Sequence, residues 1–222
     1  MITPIQADTA TGLLYSLRKT EVQHYKGCLV LLHGVGSNET SMYGLADGIP
    51  EDVLVAFVRG PLALGPNNFA WFQVAFTPNG PKISPEQAEQ SRSLLVQFLA
   101  ELNKAYNIPP EKTVIAGFSQ GGIMSASVAL TTPQAIGGFG LLSGRILPEI
   151  EPLVAETRSF IDLKGFVSHG EADNTLPVDW AHKSHEWLNQ LGIQHAFNLY
   201  PAPHTITQPM HNDFIQWLSL LV

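Results

Sequence analysis

A chain of 222 residues is long enough to bury a sizeable core and suits one α/β domain over residues 1–222 better than two. Its 45 % hydrophobic and 14 % charged content argues against long disorder. The formal charge of −7, from 12 basic and 19 acidic residues with no run of Lys and Arg, argues against a nucleic-acid partner.

One cysteine, Cys28, allows no intrachain disulfide and fits a reducing compartment. The opening "MITPIQADTATG" has neither the basic n-region nor the apolar h-region of a secretory signal. No apolar run reaches the roughly 20 residues that span a bilayer. A soluble, cytoplasmic protein with no membrane span is expected.

In chain order, "GLLYSLRK" and "EVQHYK" (12–26) alternate like a pair of half-exposed strands. "CLVLLHG" (28–34) and "DVLVAFVRG" (52–60) are continuous apolar runs of strand length, as expected for strands buried on both faces. "SMYGLADGI" between them reads as a short helix. Residues 61–83 carry prolines and aromatics without a period and read as a long ordered loop. Residues 84–107 form the clearest helix: Ser84 at the N-cap, Pro85 at the first helical position, and Leu94, Leu95, Phe98 and Leu102 at helical spacing. Strands are expected at 113–118, 137–144, 164–170 and 195–201, and helices after Gly122, at 178–192 and at 210–222. Strand alternating with helix predicts a mostly parallel sheet covered on both faces, with an antiparallel pair at its N-terminal edge.

Ligand sites in such sheets lie at the C-terminal ends of the strands. "GFSQG" there matches G-x-S-x-G at Gly117, Ser119 and Gly121. The spacing is steric in origin, because residues two before and two after the serine must be small for strand and helix to meet in so sharp a turn. The bland alternative is a Gly-rich turn whose serine caps the helix. A serine hydroxyl needs a base to take its proton and an acid to orient that base, and on this fold they follow in the order Ser, acid, His. His204, in the loop after the last strand, is the candidate base. His169, at a strand end, is a rival that more simply shapes its turn. His182 and His185 read as a surface pair on a helix, and His211 as exposed. Asp173 is the better acid and Glu171 the runner-up, both in "SHGEADNTLPV". The oxyanion donors are expected from the backbones of Gln120, just after the nucleophile, and Val35, in the loop after the early strand. His33 reads as a structural residue tying that loop down. Arg145 could meet a carboxylate on a substrate, but reads more simply as a surface arginine.

These segments together, "CLVLLHGVGSNE", "FVRGPLALGPNNFAWF", "TVIAGFSQGG", "LLSGRILP", "SHGEADNTLPV" and "PAPHTI", resemble the carboxylesterase/phospholipase branch of the α/β-hydrolase fold. That branch includes acyl-protein thioesterases and small bacterial carboxylesterases, and "HGVGSNE" looks more like the latter. The resemblance covers most of the chain. It implies a triad of Ser119, Asp173 and His204, oxyanion donors at Val35 and Gln120, and an acyl pocket flanked by Leu62, Leu64, Trp71 and Phe72. It also implies no metal, no cofactor and no lid domain. The departure is Pro203, where the family usually carries Gly before the histidine. The expected function is hydrolysis of carboxylic esters of short to medium acyl chains by a monomer or homodimer. A thioester or lysophospholipid substrate with the same triad is the alternative, and a lapsed, ligand-binding hydrolase fold is the alternative from another class.

Overall fold

The computed structural model describes residues 1–77 and 80–222. The chain opens with β1 (Gln6–Ala7), β2 (Leu14–Arg18), β3 (Gly27–Leu32), a 3-10 segment (Glu39–Ala46) and β4 (Val53–Val58). Then come β5 (Leu62–Gly65), β6 (Asn68–Ala70), β7 (Val74–Thr77), β8 (Gly80–Ile83) and α1 (Pro85–Tyr106). The second half runs β9 (Thr113–Phe118), α2 (Gln120–Thr131), β10 (Gly138–Leu142), β11 (Lys164–Gly170), α3 (Asp179–Gln190), β12 (Gln194–Tyr200) and α4 (Gln208–Leu218).

Eight strands form one sheet in the order β1, β2, β4, β3, β9, β10, β11, β12. The pairs β1/β2 and β2/β4 are antiparallel and the other five parallel. Strand alternation explains why the central runs are continuously apolar. Cys28, Val30 and Leu32 of β3 enter a core with Leu95 and Phe98 of α1, Met124 and Val128 of α2 and Leu188 of α3. Leu29 and Leu31 enter a second core with Met42, Leu45 and the α4 residues Phe214 and Leu218. α1, α2 and α3 therefore cover one face, and the 3-10 segment and α4 the other.

Two expectations need correction. Residues 21–26 do not form a strand: β1 and β4 already flank β2, and Tyr25 packs edge-on against Tyr106 of α1 instead. The stretch 61–83 is not a plain loop but holds two short hairpins, β5 with β6 and β7 with β8. Strands of three or four residues are too short to print a period on the sequence. Pro78 and Asn79 of that stretch lie outside the described residues.

The turn from β9 to α2 is the tightest junction. α2 begins at Gln120, not after Gly122, and Ser119 takes φ 53° and ψ −115°. A Cβ on Gly117 would lie 2.4 Å from the Gly121 carbonyl carbon, and one on Gly121 would lie 2.1 Å from the Leu32 oxygen. Two buried histidines hold the loops around it. His33 donates from Nδ1 to the Gly34 carbonyl at 2.7 Å and accepts the Gly60 N–H on Nε2 at 2.9 Å, which fixes it neutral. His169 donates from Nε2 to the Leu176 carbonyl at 2.7 Å. Burial pushes the pKa of both below the ordinary value of 6.5.

A Gly121→Ala substitution sets the new methyl against backbone on β3, which can yield only by parting strand and helix; a loss of about 1–3 kcal/mol is expected, read as a lower urea midpoint. The histidines make stability acid-sensitive. Unfolded, each binds a proton near pH 6.5; folded, each resists it to lower pH, so their contribution is complete above that pH and falls below it. The slope cannot exceed about 1.4 kcal/mol per pH unit for each histidine, and His169→Gln should make urea midpoints measured from pH 7 to 5 fall less steeply.

Candidate active site

Loops after β3, β9, β11 and β12 converge at the C-terminal edge of the sheet. The Ser119 hydroxyl lies 3.0 Å from His204 Nε2, and His204 Nδ1 donates to Asp173 Oδ2 at 2.5 Å. The second Asp173 oxygen accepts the backbone N–H groups of Thr175 and Leu176, each at 2.8 Å. Buried Asp173 therefore has both oxygens occupied by donors, and its orientation, with that of His204, is set before any substrate arrives. His169 Nε2 passes 3.3 Å from the same Asp173 oxygen while bonded to Leu176, so it braces the loop and stands outside the relay. Glu171 is exposed. His182 is exposed as expected, whereas His185 is half-buried, stacks on Phe197 and bonds His195 at 2.7 Å, at the start of β12 and so at the opposite end of that strand from His204. His211 is half-buried, 3.3 Å from the Leu45 carbonyl.

Pro203 fits because the loop it occupies is held by carbonyls. The Ala202 oxygen accepts from the Ala172 N–H at 3.0 Å, and the Pro203 oxygen accepts from Thr205 at 2.8 Å. A Cβ on Gly170 would lie 2.2 Å from the Ala202 oxygen and 2.6 Å from the Pro203 oxygen, so the loop presses on the end of β11 through a bare glycine. The missing N–H of proline removes no bond from this arrangement.

Gln120 is the first residue of α2, so its N–H has no acceptor within the helix. Among the described residues the Val35 N–H also has no acceptor, and both residues line the pocket that holds Ser119. The flanking braces are mostly what the sequence conceals. The Gln120 side chain accepts from the Trp71 N–H at 2.8 Å and donates to the Phe72 carbonyl at 2.7 Å. The β5/β6 hairpin clasps the other loop: Gly36 N–H donates to the Phe69 carbonyl at 2.9 Å and Phe69 N–H to Ser37 at 2.8 Å. Below that loop Arg59 forks onto Glu39 at 2.6 and 2.7 Å. Burial alone would raise the Glu39 pKa, but the Arg59 fork outweighs it and holds the carboxyl below its usual range.

The expected acyl-pocket residues divide. Phe72 lines the pocket of Ser119. Trp71 does not: it is fully buried, and its indole N–H donates to the His33 carbonyl at 2.9 Å, making it a brace beneath the loop. Leu62, on β5, lines neither cavity beside His204, and Leu64 is 49 % exposed on an outer depression beyond Phe72. The pocket walls missed by the sequence reading include Ile83, Phe118, Ile123 and Leu176. This pocket has a volume of about 290 Å³. A second cavity of about 490 Å³, reaching Met42, Leu45 and Ile206, shares Gly34, Val35, Phe118 and His204 with it. Arg145 stands in the wall of the first and is only 5 % exposed, so it is not a surface arginine. Among the described residues no cluster of three or more His, Cys, Asp or Glu is placed to hold a metal, and no helix is long and apolar enough to cross a membrane.

Known proteins resemble this chain along nearly its whole length. The acyl-protein thioesterase 1 of Kluyveromyces lactis is 24 % identical over 216 residues, covering 90 % of this chain and 94 % of its own. That of Candida albicans is 26 % identical over 215 residues, covering 89 % and 93 %. The carboxylesterase of Mesorhizobium loti superposes with a TM-score of 0.80 at 22 % identity, covering 97 % of this chain and 98 % of its own, and shares the fold. Residues 19–222 match the family described as Phospholipase/Carboxylesterase, and the chain belongs to it.

Proposed function

We propose that the chain is a serine hydrolase that cleaves carboxylic esters through an acyl-enzyme on Ser119. The observation that carries this reading is the relay itself: a buried carboxylate, an imidazole and a serine hydroxyl in hydrogen-bond contact, opening on two cavities that share His204. His204 Nε2 takes the proton as Ser119 Oγ bonds to the ester carbonyl carbon, and Asp173 stabilises the imidazolium that forms. The negative charge moves to the former carbonyl oxygen, met by the Val35 and Gln120 N–H groups. The carbon–oxygen bond to the alcohol then breaks, and His204 returns its proton to the departing oxygen. Water, activated by the same imidazole, releases the acid and restores Ser119.

Two cavities meeting at one imidazole suit a scissile bond lying between them, with the acyl part in the apolar pocket and the alcohol in the larger cavity. At about 290 Å³ the acyl pocket is at the small end for ligand sites, which supports short to medium acyl chains. The names of the fungal relatives favour a second reading on the same machinery, an acyl-thioesterase. Relative kcat/KM on matched acyl esters and thioesters separates the two. We read the chain as one domain acting as a monomer or homodimer; the single buried cysteine fits a reducing, cytoplasmic setting, and the acidic balance argues against nucleic acid as a partner.

A fluorophosphonate probe should label the folded protein at Ser119, and Ser119→Ala or His204→Ala should each lower turnover about 10³-fold or more. Hydrolysis retained in Ser119→Ala would sink the assignment of the nucleophile.

A further inference from the structure

The five arginines of the chain differ in one respect. Arg18 donates to the carbonyls of Ala46, Ile49, Pro50 and Val53. Arg59 forks onto Glu39, and Arg92 onto Glu89 with two threonine hydroxyls in addition. Arg158 pairs with Glu156 at the surface. Arg145 is the most deeply buried of the five, and among the described residues it has no hydrogen-bond or ion-pair partner; its guanidinium lies 4.5 Å from the centre of the Trp180 ring.

Its position follows from the backbone. After β10 the non-glycine residue Ser143 takes φ 49°, in the left-handed region. Gly144 follows, so close to the nucleophile that a Cβ would lie 3.0 Å from the Ser119 carbonyl oxygen. Ile146 is then fixed by its N–H on Ser184 Oγ at 3.1 Å. Arg145, held between those two anchors, enters the wall of the Ser119 pocket, which apolar Phe72, Ile83 and Ile123 also line. Left-handed φ at a non-glycine residue is strained and persists where the surroundings impose it. A guanidinium that touches water only through a pocket and has no protein partner is poorly solvated, and an anion seated against it offsets that cost. Burial lowers the Arg145 pKa, with Glu149 opposing from a distance, which marks the same cost.

We propose that Arg145 is the specificity residue of this pocket and that it binds a carboxylate on the acyl part of the substrate, so that the preferred substrates are monoesters of short dicarboxylic acids. The proposal rests on the esterase reading above. A single planar guanidinium matches the single charge and planar fork of a carboxylate; a phosphate monoester brings nearly two charges and three oxygens, and among the described residues the lining holds no lysine and no second arginine to meet them.

The test compares monomethyl succinate, glutarate and adipate with methyl butyrate, pentanoate and hexanoate, following acid release in a pH-stat. The best anionic ester should exceed its neutral partner at least ten-fold in kcat/KM. Arg145→Gln should lower that ratio at least ten-fold, and Arg145→Lys should restore part of it. In a Ser119→Ala background, where the ester survives, monomethyl glutarate should bind at least ten times more tightly than methyl pentanoate by titration calorimetry, and Arg145→Gln should abolish the difference. Equal ratios in wild type and Arg145→Gln overturn the proposal while leaving the esterase reading intact. Tighter binding of methyl 4-phosphonobutanoate than of monomethyl glutarate overturns the carboxylate assignment. If the wild type hydrolyses neither series and Ser119 takes no fluorophosphonate, the esterase reading fails, and the calorimetric comparison still decides whether Arg145 holds the carboxylate.

Discussion

Everything at this site depends on a contact with no side chain in it: Gly121 at the start of α2 against the Leu32 carbonyl at the end of β3. No Cβ fits there. The approach forces the intervening serine into φ 53°, a conformation an L-residue holds only when its neighbours impose it, at about 1–3 kcal/mol. The same approach brings the loop after β3 alongside the helix N-terminus. Ser119, the proposed nucleophile, then lines one pocket with Val35 and Gln120, at a helix N-terminus where the dipole favours negative charge. The strain and the preorganisation arise from one steric fact.

A loop of glycines would not keep that geometry by itself, and the surrounding braces explain why it persists. The His33 imidazole ties the Gly34 carbonyl to the Gly60 N–H, and Trp71 ties the His33 carbonyl from below. Gln120 joins the helix start to the backbone at Trp71 and Phe72, and the Ser91 hydroxyl of α1 donates to the Trp71 carbonyl at 2.5 Å. Each bond satisfies a buried polar group that would otherwise cost about 1–3 kcal/mol. The network therefore fixes the oxyanion side of the site by the same requirement that makes the interior stable. On the other side, three N–H donors on Asp173 do this for the imidazole.

What the sequence makes legible follows from how local each determinant is. The central strands show as apolar runs because both of their faces are covered, and the nucleophile turn shows because its steric demand falls within five residues. The grouping of Ser119, Asp173 and His204 was readable from their order and their places at strand ends, and His204 Nε2 does lie 3.0 Å from Ser119 Oγ. The hairpins in 61–83 left no trace, since strands this short carry no period. Trp71 and Phe72 are adjacent and both aromatic, yet consecutive residues point in different directions; one became a brace and the other a pocket wall. Sequence spacing cannot assign those sides without knowing what lies across from them.

Arg145 shows the same limit for charge. Composition statistics place an arginine at the surface, because burial of a cation is rarely compensated. Here the chain does the opposite through a backbone feature that the sequence "LLSGRILP" does not display, the left-handed φ at Ser143. Three other arginines donate to carbonyls, carboxylates or hydroxyls of the fold. The fold gives each of those guanidinium groups several acceptors and gives the most buried one none, leaving it against a π-surface and a cavity. Aromatic stacking offsets part of the lost hydration, by about 0.5–2 kcal/mol, but supplies no acceptor for the five guanidinium N–H donors. The unmet demand lies in the cavity that the nucleophile faces, so the group best able to meet it is one that the substrate carries in.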